Sequence, residues 1–373
     1  KKKVFSSIGL LPKEEMLEVK PDFMQLIIGV PKESSFQENR VSLTPDSVGL
    51  LVANGHTIVI EKGAGESSSF TDKEYSENGA DIVYSKEEVF KSDLILKIEP
   101  PTKSEIKLMR SNQTLISAVQ MSTQKTEYFN ELNKKHISSF GFEFIRDKQD
   151  KLPIVRSMSE IAGNTSLLIA SEYLSNTKNG KGLMLGGITG SIPTNVVVIG
   201  AGTVAEYACR TALGLGASVI VFDDSFSKLR RVQNNINHKI STSSIQPKAL
   251  AKALKRADVV ISAQQVGNGK VPCIVSEEMV IDMKNGAIVI DVSIDQGGFF
   301  ETSRVTTHNN PTFVKHDIIH YCVPNIASRV SRTASFALSN IFSPILVNMG
   351  EMGGCKELIA RDSGFRSGVY IYK

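Results

Sequence analysis

The chain has 373 residues and is 41% hydrophobic, enough for two domains with separate cores. Its net charge of +4, from 43 basic and 39 acidic residues, is spread rather than clustered, so no nucleic-acid partner is expected and Lys1-Lys2-Lys3 reads as a solvated tail. No apolar stretch approaches the ~18 residues that span a bilayer, and the four cysteines are scattered without a CxxC pair, which argues against a disulfide framework or a metal site and for a reduced, cytoplasmic setting.

Residues 1 to about 24 are polar, lack a clear period and are expected to form a loose arm. Residues 26–30 read as a strand. Thr44-Pro45 then opens a helix, with Thr44 as N-cap and Pro45 at the first helical position. The helix runs through Val48, Leu51 and Val52 and stops near Asn54-Gly55. Strands are expected at 57–61, 81–83, 94–97 and 114–119, alternating with helical segments, so this first region reads as a parallel α/β domain. Residues 153–160 look like a crossing point that feeds a helix from Ile161 to about Leu174.

The stretch 195–224 is the most informative. A buried-type strand, Val196 to Ile199, runs into Gly200-Ala201-Gly202-Thr203-Val204-Ala205 and a helical segment. A second apolar run, Val219 to Phe222, ends on Asp223. This is the strand, glycine turn, helix, strand and acid of a dinucleotide-binding unit. Gly200 permits the tight turn, and Gly202 lets the backbone approach a pyrophosphate. Ala205 lets the helix pack closely on the strand, and the helix N-terminus favours phosphate. Asp223 suits both hydroxyls of a ribose and would repel a 2′-phosphate, so NAD is expected rather than NADP. Beyond it, helices are expected from Lys228 and over 250–257, strands over 258–262, 286–291 and 319–325, and a returning helix from Ser331 to about Met349. The ends of the 258–262 and 286–291 strands are where a nicotinamide should lie.

The motifs IGVPKES, ENRVSLTP, DLILKIEPP, RSMSEIAGNTS, VVVIGAGTVAE, DVSIDQGGFFETSRVTTHNNPTF and HYCVPNIASRVSRTAS, in this order, resemble the alanine dehydrogenase and proton-translocating transhydrogenase α-subunit family over about residues 27–350. The segments IDQGG, SRVTTH and PTF are similar to its soluble alanine dehydrogenase branch. The resemblance implies an α/β fold of two Rossmann-like domains with parallel sheets around a central cleft. A discontinuous substrate domain (1–153 plus 332–373) would flank an NAD-binding domain (154–331). It also implies reversible NAD-dependent conversion of L-alanine to pyruvate and ammonia by a cytoplasmic homo-oligomer, hexamer or dimer, that works on small molecules and on neither nucleic acid nor membrane.

Residue by residue, the resemblance implies Arg40 for the substrate carboxylate, Lys97 for its carbonyl oxygen and Asp295 beside nicotinamide and substrate. It gives Ser159, Gly200, Gly202, Thr203, Val204, Asp223, Lys228, Gln264, Gln265, Asp295, Arg304 and Asn325 to the cofactor. The position matching the family's catalytic histidine is Gln120. An amide can hydrogen-bond a substrate but cannot shuttle a proton near pH 7. Either Lys97 or Asp295 then takes that work, or the chain acts on another 2-oxo acid or imine, or it binds NAD(H) as a regulatory, transhydrogenase-like protein.

Overall fold

The computed structural model describes residues 23–121, 123–236, 238–264 and 272–372. Lys1-Lys2-Lys3, the rest of the arm to residue 22, and Gln265 lie outside the described residues. The strands in chain order are β1 (Ile27–Val30), β2 (Thr57–Glu61), β3 (Asp81–Val83), β4 (Leu94–Leu96), β5 (Thr114–Ser117) and β6 (Ser138–Gly141). There follow β7 (Asn195–Ile199), β8 (Ser218–Phe222), β9 (Ser241–Ser243), β10 (Val259–Ser262), β11 (Ile288–Asp291), β12 (Thr312–Lys315), β13 (Ile318–Tyr321) and β14 (Val369–Ile371). Among the described residues they form two seven-stranded sheets, ordered β14-β6-β5-β4-β1-β2-β3 and β12-β13-β11-β10-β7-β8-β9.

The expected parallel sheets are present, each with one antiparallel edge strand. β14 pairs antiparallel with β6, and β12 antiparallel with β13. Elsewhere the ladders are parallel, as expected where helical crossovers cover both faces. The central strands β10 and β11 are buried at every position, which is why they read as continuous apolar runs rather than alternating ones. β6, β12 and β14 escape a sequence reading because they mix Ser, Gly, Lys and aromatic residues in runs of three or four.

Two long helices carry the chain between the sheets. The first is Pro153–Leu174, so the expected start at Ile161 falls two turns inside it. Pro153 sits in its first turn, where no N–H is needed. The second, Ser331–Glu351, returns the chain to β14 and the first sheet. Serines on and just before it hold the loop after β1. The backbone N–H groups of Asn39, Val41 and Thr44 donate to the hydroxyls of Ser328, Ser335 and Ser339, each at 2.9 Å. Thr44 does precede the Pro45–Ala53 helix, but its side chain does not cap it. The hydroxyl lies 3.4 Å from Ser47 Oγ and 3.3 Å from Ser339 Oγ instead.

Other boundaries also move. β5 ends at Ser117 rather than at 119, and β13 ends at Tyr321 rather than at 325. Asn325 is left-handed, with φ 56°.

The Pro153–Leu174 helix lies directly on the Thr203–Gly214 helix. A Cβ on Gly163 would collide with the Val204 carbonyl oxygen and stand 2.9 Å from Tyr207 Cβ. Gly163→Ala is expected to destabilise the protein by about 1–3 kcal/mol through overpacking against backbone, measured by the shift of the denaturant midpoint at constant m-value.

Candidate active site

The loop between β1 and the Pro45–Ala53 helix presents Arg40. Its Nε and Nη2 donate to Glu38 Oε1 and Oε2 at 2.8 and 2.5 Å, a bidentate pair. Glu38 Oε1 also accepts from the Arg40 backbone N–H at 2.9 Å, and Oε2 accepts from Asn325 Nδ2 at 2.8 Å. Burial favours the neutral acid at Glu38, but the hydrogen bonds and charge of Arg40 outweigh it and hold the carboxyl below its usual range. Arg40 Nη1 is left with the Met158 sulfur at 3.5 Å.

Arg40 borders a cleft of about 340 Å³ between the two sheets. The cleft also takes in Ser159, Val204, Gln264, Asp295 and Asn325, so five of the residues expected around a cofactor meet there with the arginine. Asp295 stands in the 3₁₀ turn Val292–Gln296 after β11. That turn is anchored by the fully buried Asp291. One oxygen of Asp291 accepts from Ser262 Oγ at 2.5 Å and Ser293 N at 3.1 Å. The other accepts from Phe299 N at 2.8 Å and Ser303 Oγ at 2.6 Å. The Asp295 carboxylate keeps access to the open cleft, yet the surrounding protein raises its pKa to about 6. The Asn325 backbone N–H partly offsets that rise, and the charge of Asp291 adds to it.

The glycine turn follows the expected pattern. Gly200 has φ 104°, and a Cβ there would lie 2.7 Å from the Ala263 carbonyl. Gly202 differs. Among the described residues, a Cβ on it would meet nothing closer than the Ala263 oxygen at 3.7 Å, so these residues leave that space open. The Thr203–Gly214 helix that follows has no side-chain N-cap among the described residues, and the first N–H groups of a helix have no partner within it. Asp223, 4% exposed, accepts from the backbone N–H groups of Ala201 and Ser225, both at 2.7 Å. It therefore braces the turn, and each oxygen retains a second lone pair. Gln264 Oε1 is buried with no hydrogen-bond partner among the described residues.

Three expected residues lie elsewhere. Lys228 is exposed in the Phe226–Asn235 helix. Arg304 is exposed and stacks over Phe313, its guanidinium carbon 4.1 Å from the ring centre. Lys97 is only 1% exposed and does not border the cleft. β4 ends at Leu96, and the Lys97 ammonium turns to Glu33 at 3.2 Å and Glu105 at 3.5 Å. Lys86 closes the group at 2.9 Å from Glu105, giving two acids and two bases. Burial raises the Glu33 pKa, with Lys97 partly offsetting it. At Glu105, Lys97, the Thr102 N–H and Lys86 overcome burial and hold the carboxyl low.

The acid beside Arg40 is Glu99, although neither it nor Gln120 is among the residues that line the cleft. Its Oε1 lies 3.9 Å from Arg40 Nη2, and its Oε2 accepts from Gln120 Nε2 at 2.6 Å. Burial, then the charge of Glu38, raises its pKa to about 7, with Arg40 and Gln120 pulling the other way. Gln120 has φ 47°, a costly conformation for a non-glycine residue. Its N–H donates to Glu143 Oε1 at 3.0 Å, and its carbonyl accepts from Thr123 N at 2.9 Å. Glu143 borders the cleft, with Oε2 buried and unpartnered among the described residues. Glu38, Glu99 and Glu143 were passed over because isolated glutamates carry no spacing signal. Only the reach of each side chain in three dimensions distinguishes them.

This arrangement offers a guanidinium end for a carboxylate, acids able to exchange protons near neutrality, and an open helix N-terminus for phosphates. Residues 29–162 match the family description "Alanine dehydrogenase/PNT, N-terminal domain", and 166–373 match "Alanine dehydrogenase/PNT, C-terminal domain". The alanine dehydrogenase of Methanococcus maripaludis is 38% identical over 330 residues, covering 88% of each chain. That of Bacillus subtilis is 36% identical over 345 residues, 92% of this chain and 90% of the relative. A solved L-alanine dehydrogenase superposes with a TM-score of 0.86 at 32% identity, covering 93% of this chain and 95% of that one. A transhydrogenase from Sinorhizobium meliloti shares the fold, with a TM-score of 0.77 at 24% identity over 87% of this chain and 95% of that one. The chain belongs to the alanine dehydrogenase/PNT family.

Proposed function

We propose that this protein is an NAD-dependent amino-acid dehydrogenase that interconverts L-alanine with pyruvate and ammonia. The observation that carries the reading is the meeting of Arg40 and Asp295 with Val204, which directly follows the Gly202 turn, on one cleft, in a chain 34–38% identical to several alanine dehydrogenases. The open space over Gly202, the uncapped helix and the lone Gln264 acceptor all fit a dinucleotide. When bound, the dinucleotide supplies the acceptor for the α-hydrogen as hydride.

In this reading Gly200, Gly202, Thr203 and Val204 form the phosphate and nicotinamide wall, and Asp223 keeps a lone pair on each oxygen for a ribose. Ser159, Gln264, Asp295 and Asn325 complete the cofactor side. Arg40 takes the substrate carboxylate on the end that Glu38 leaves free. Lys97 is assigned to the framework rather than to the substrate. Its ion pairs with Glu33 and Glu105 set the backbone on which Glu99 rides, since Glu33 also accepts from Ile98 N at 2.5 Å. The division into 1–153 plus 332–373 and 154–331, and a cytoplasmic homo-oligomer, belong to the same proposal. The two separate sheets and the two connecting helices support the division.

The test is NADH formation from NAD with L-alanine beside a panel of other amino acids; no turnover on any of them would overturn the reading. Among the described residues Gly202→Ala makes only an ordinary contact with the Ala263 oxygen and should leave the melting temperature unchanged, while NAD affinity falls roughly tenfold or more, about 1.4 kcal/mol, read by fluorescence titration. Arg40→Ala and Lys97→Ala should separate cleanly. The first loses alanine turnover, whereas the second exposes two buried carboxylates to each other and lowers stability by about 3–5 kcal/mol, measured by urea unfolding.

A further inference from the structure

A proton must leave the substrate's ammonium group before the α-carbon can give up its hydrogen. The Lys97 ammonium is enclosed by Glu33 and Glu105. Asp295, on the turn after β11, accepts from the Asn325 backbone N–H and also feels the charge of Arg40. An α-amino nitrogen sits on the carbon next to the carboxylate, so its base must adjoin the guanidinium that holds that carboxylate. Glu99 does so, 3.9 Å from Arg40 Nη2.

We propose that Glu99 is the acid–base residue of this site, taking the proton from the substrate's ammonium group while Gln120 holds its carboxylate in place. The inference rests on the amino-acid dehydrogenase reading above. Three further features carry it. Glu99 makes only a longer contact with Arg40, at 3.9 Å, because Glu38 already occupies two guanidinium N–H groups. Gln120 is fixed on both sides, by Glu143 and by Thr123, so its amide at 2.6 Å gives Glu99 a defined orientation. Glu143 Oε2 lacks a partner among the described residues and offers a second acceptor to a bound cation. The groups that set the charge state of Glu99 are Glu38 and Glu33, which raise its proton affinity, and Arg40 and Gln120, which lower it; Glu143 and Asp295 adjoin Gln120 and Arg40.

The step balances as follows. The N–H bond breaks with its electron pair left on nitrogen, and an O–H bond forms on the Glu99 carboxylate. The freed pair forms C=N as the hydride departs for the dinucleotide, and the resulting iminium takes up water to give the oxo acid and ammonium.

The experiment measures kcat and L-alanine affinity against pH for wild type, Glu99→Gln, Gln120→Leu and Asp295→Asn, with proton release on alanine binding to the NAD complex followed by calorimetry in two buffers. Wild-type oxidation should fall on acidification with an apparent pKa near 7, since Glu99 must be unprotonated to accept. Glu99→Gln should lower kcat roughly 10²–10⁴-fold, abolish that acid limb, change the proton count and keep NAD affinity. Gln120→Leu removes a hydrogen bond to the charged form, so the limb should move to higher pH. The proposal is overturned if Glu99→Gln retains kcat and the acid limb, or if the limb disappears with Asp295→Asn instead. A wild type that neither turns over nor binds alanine overturns both this and the dehydrogenase reading, whereas wild-type turnover indifferent to Glu99 overturns this one alone.

Discussion

The pairing of Glu38 with Arg40 is the constraint around which the cleft is arranged. A guanidinium beside the cleft needs a fixed partner, and Glu38 supplies one from two residues away while also taking the Arg40 backbone N–H. The same carboxylate accepts from Asn325, which belongs to the segment after β13 in the other sheet. One buried acid thus ties the loop after β1 to both sides of the cleft. Removing it would strip the arginine of its bidentate partner and cut the link to Asn325. A buried pair broken on one side costs far more than it contributes when intact.

Behind that pair the polar groups are satisfied in layers. Ser328, Ser335 and Ser339 hold the extended loop by its N–H groups, and the Glu33, Lys97, Glu105 and Lys86 group balances its own charge. Asp291 spends both oxygens on the turn that carries Asp295. Of the seven buried side-chain atoms without a partner among the described residues, two stand at the cleft: Gln264 Oε1 and Glu143 Oε2. Buried polar atoms without partners are rare in folded chains, and their position beside the cleft is what a bound ligand would account for.

The dinucleotide unit was legible because each of its parts has a local cause. Apolar runs make buried parallel strands, glycines make the turn, and an acid ends the second strand. Arg40 and Asp295 were reachable through resemblance, and both border the cleft. The surroundings of Lys97 were not legible, for a physical reason. A lysine at the end of an apolar run looks exposed to function, but β4 stops one residue earlier, and period-two alternation says nothing beyond a strand's end. Its partners Glu33 and Glu105 lie 64 and 8 residues away in sequence, and no spacing links the three. Glu99 stayed hidden in the same way, since its value comes from Arg40 and Gln120 reaching it across separate loops.

The amide at 120 then acquires a physical meaning rather than being a loss. A cation donating to Glu99 would favour its charged form and draw its proton affinity down, away from neutrality. A neutral amide donor orients the carboxylate at 2.6 Å while contributing no charge. With Arg40 already engaged by Glu38, burial and the neighbouring acids then dominate, and Glu99 titrates at about 7. General acid–base work is most effective when the group titrates near the working pH. A glutamate tuned upward by burial and held by an uncharged donor meets that condition as a histidine would, but from the opposite direction: an acid raised toward neutrality rather than a base already there.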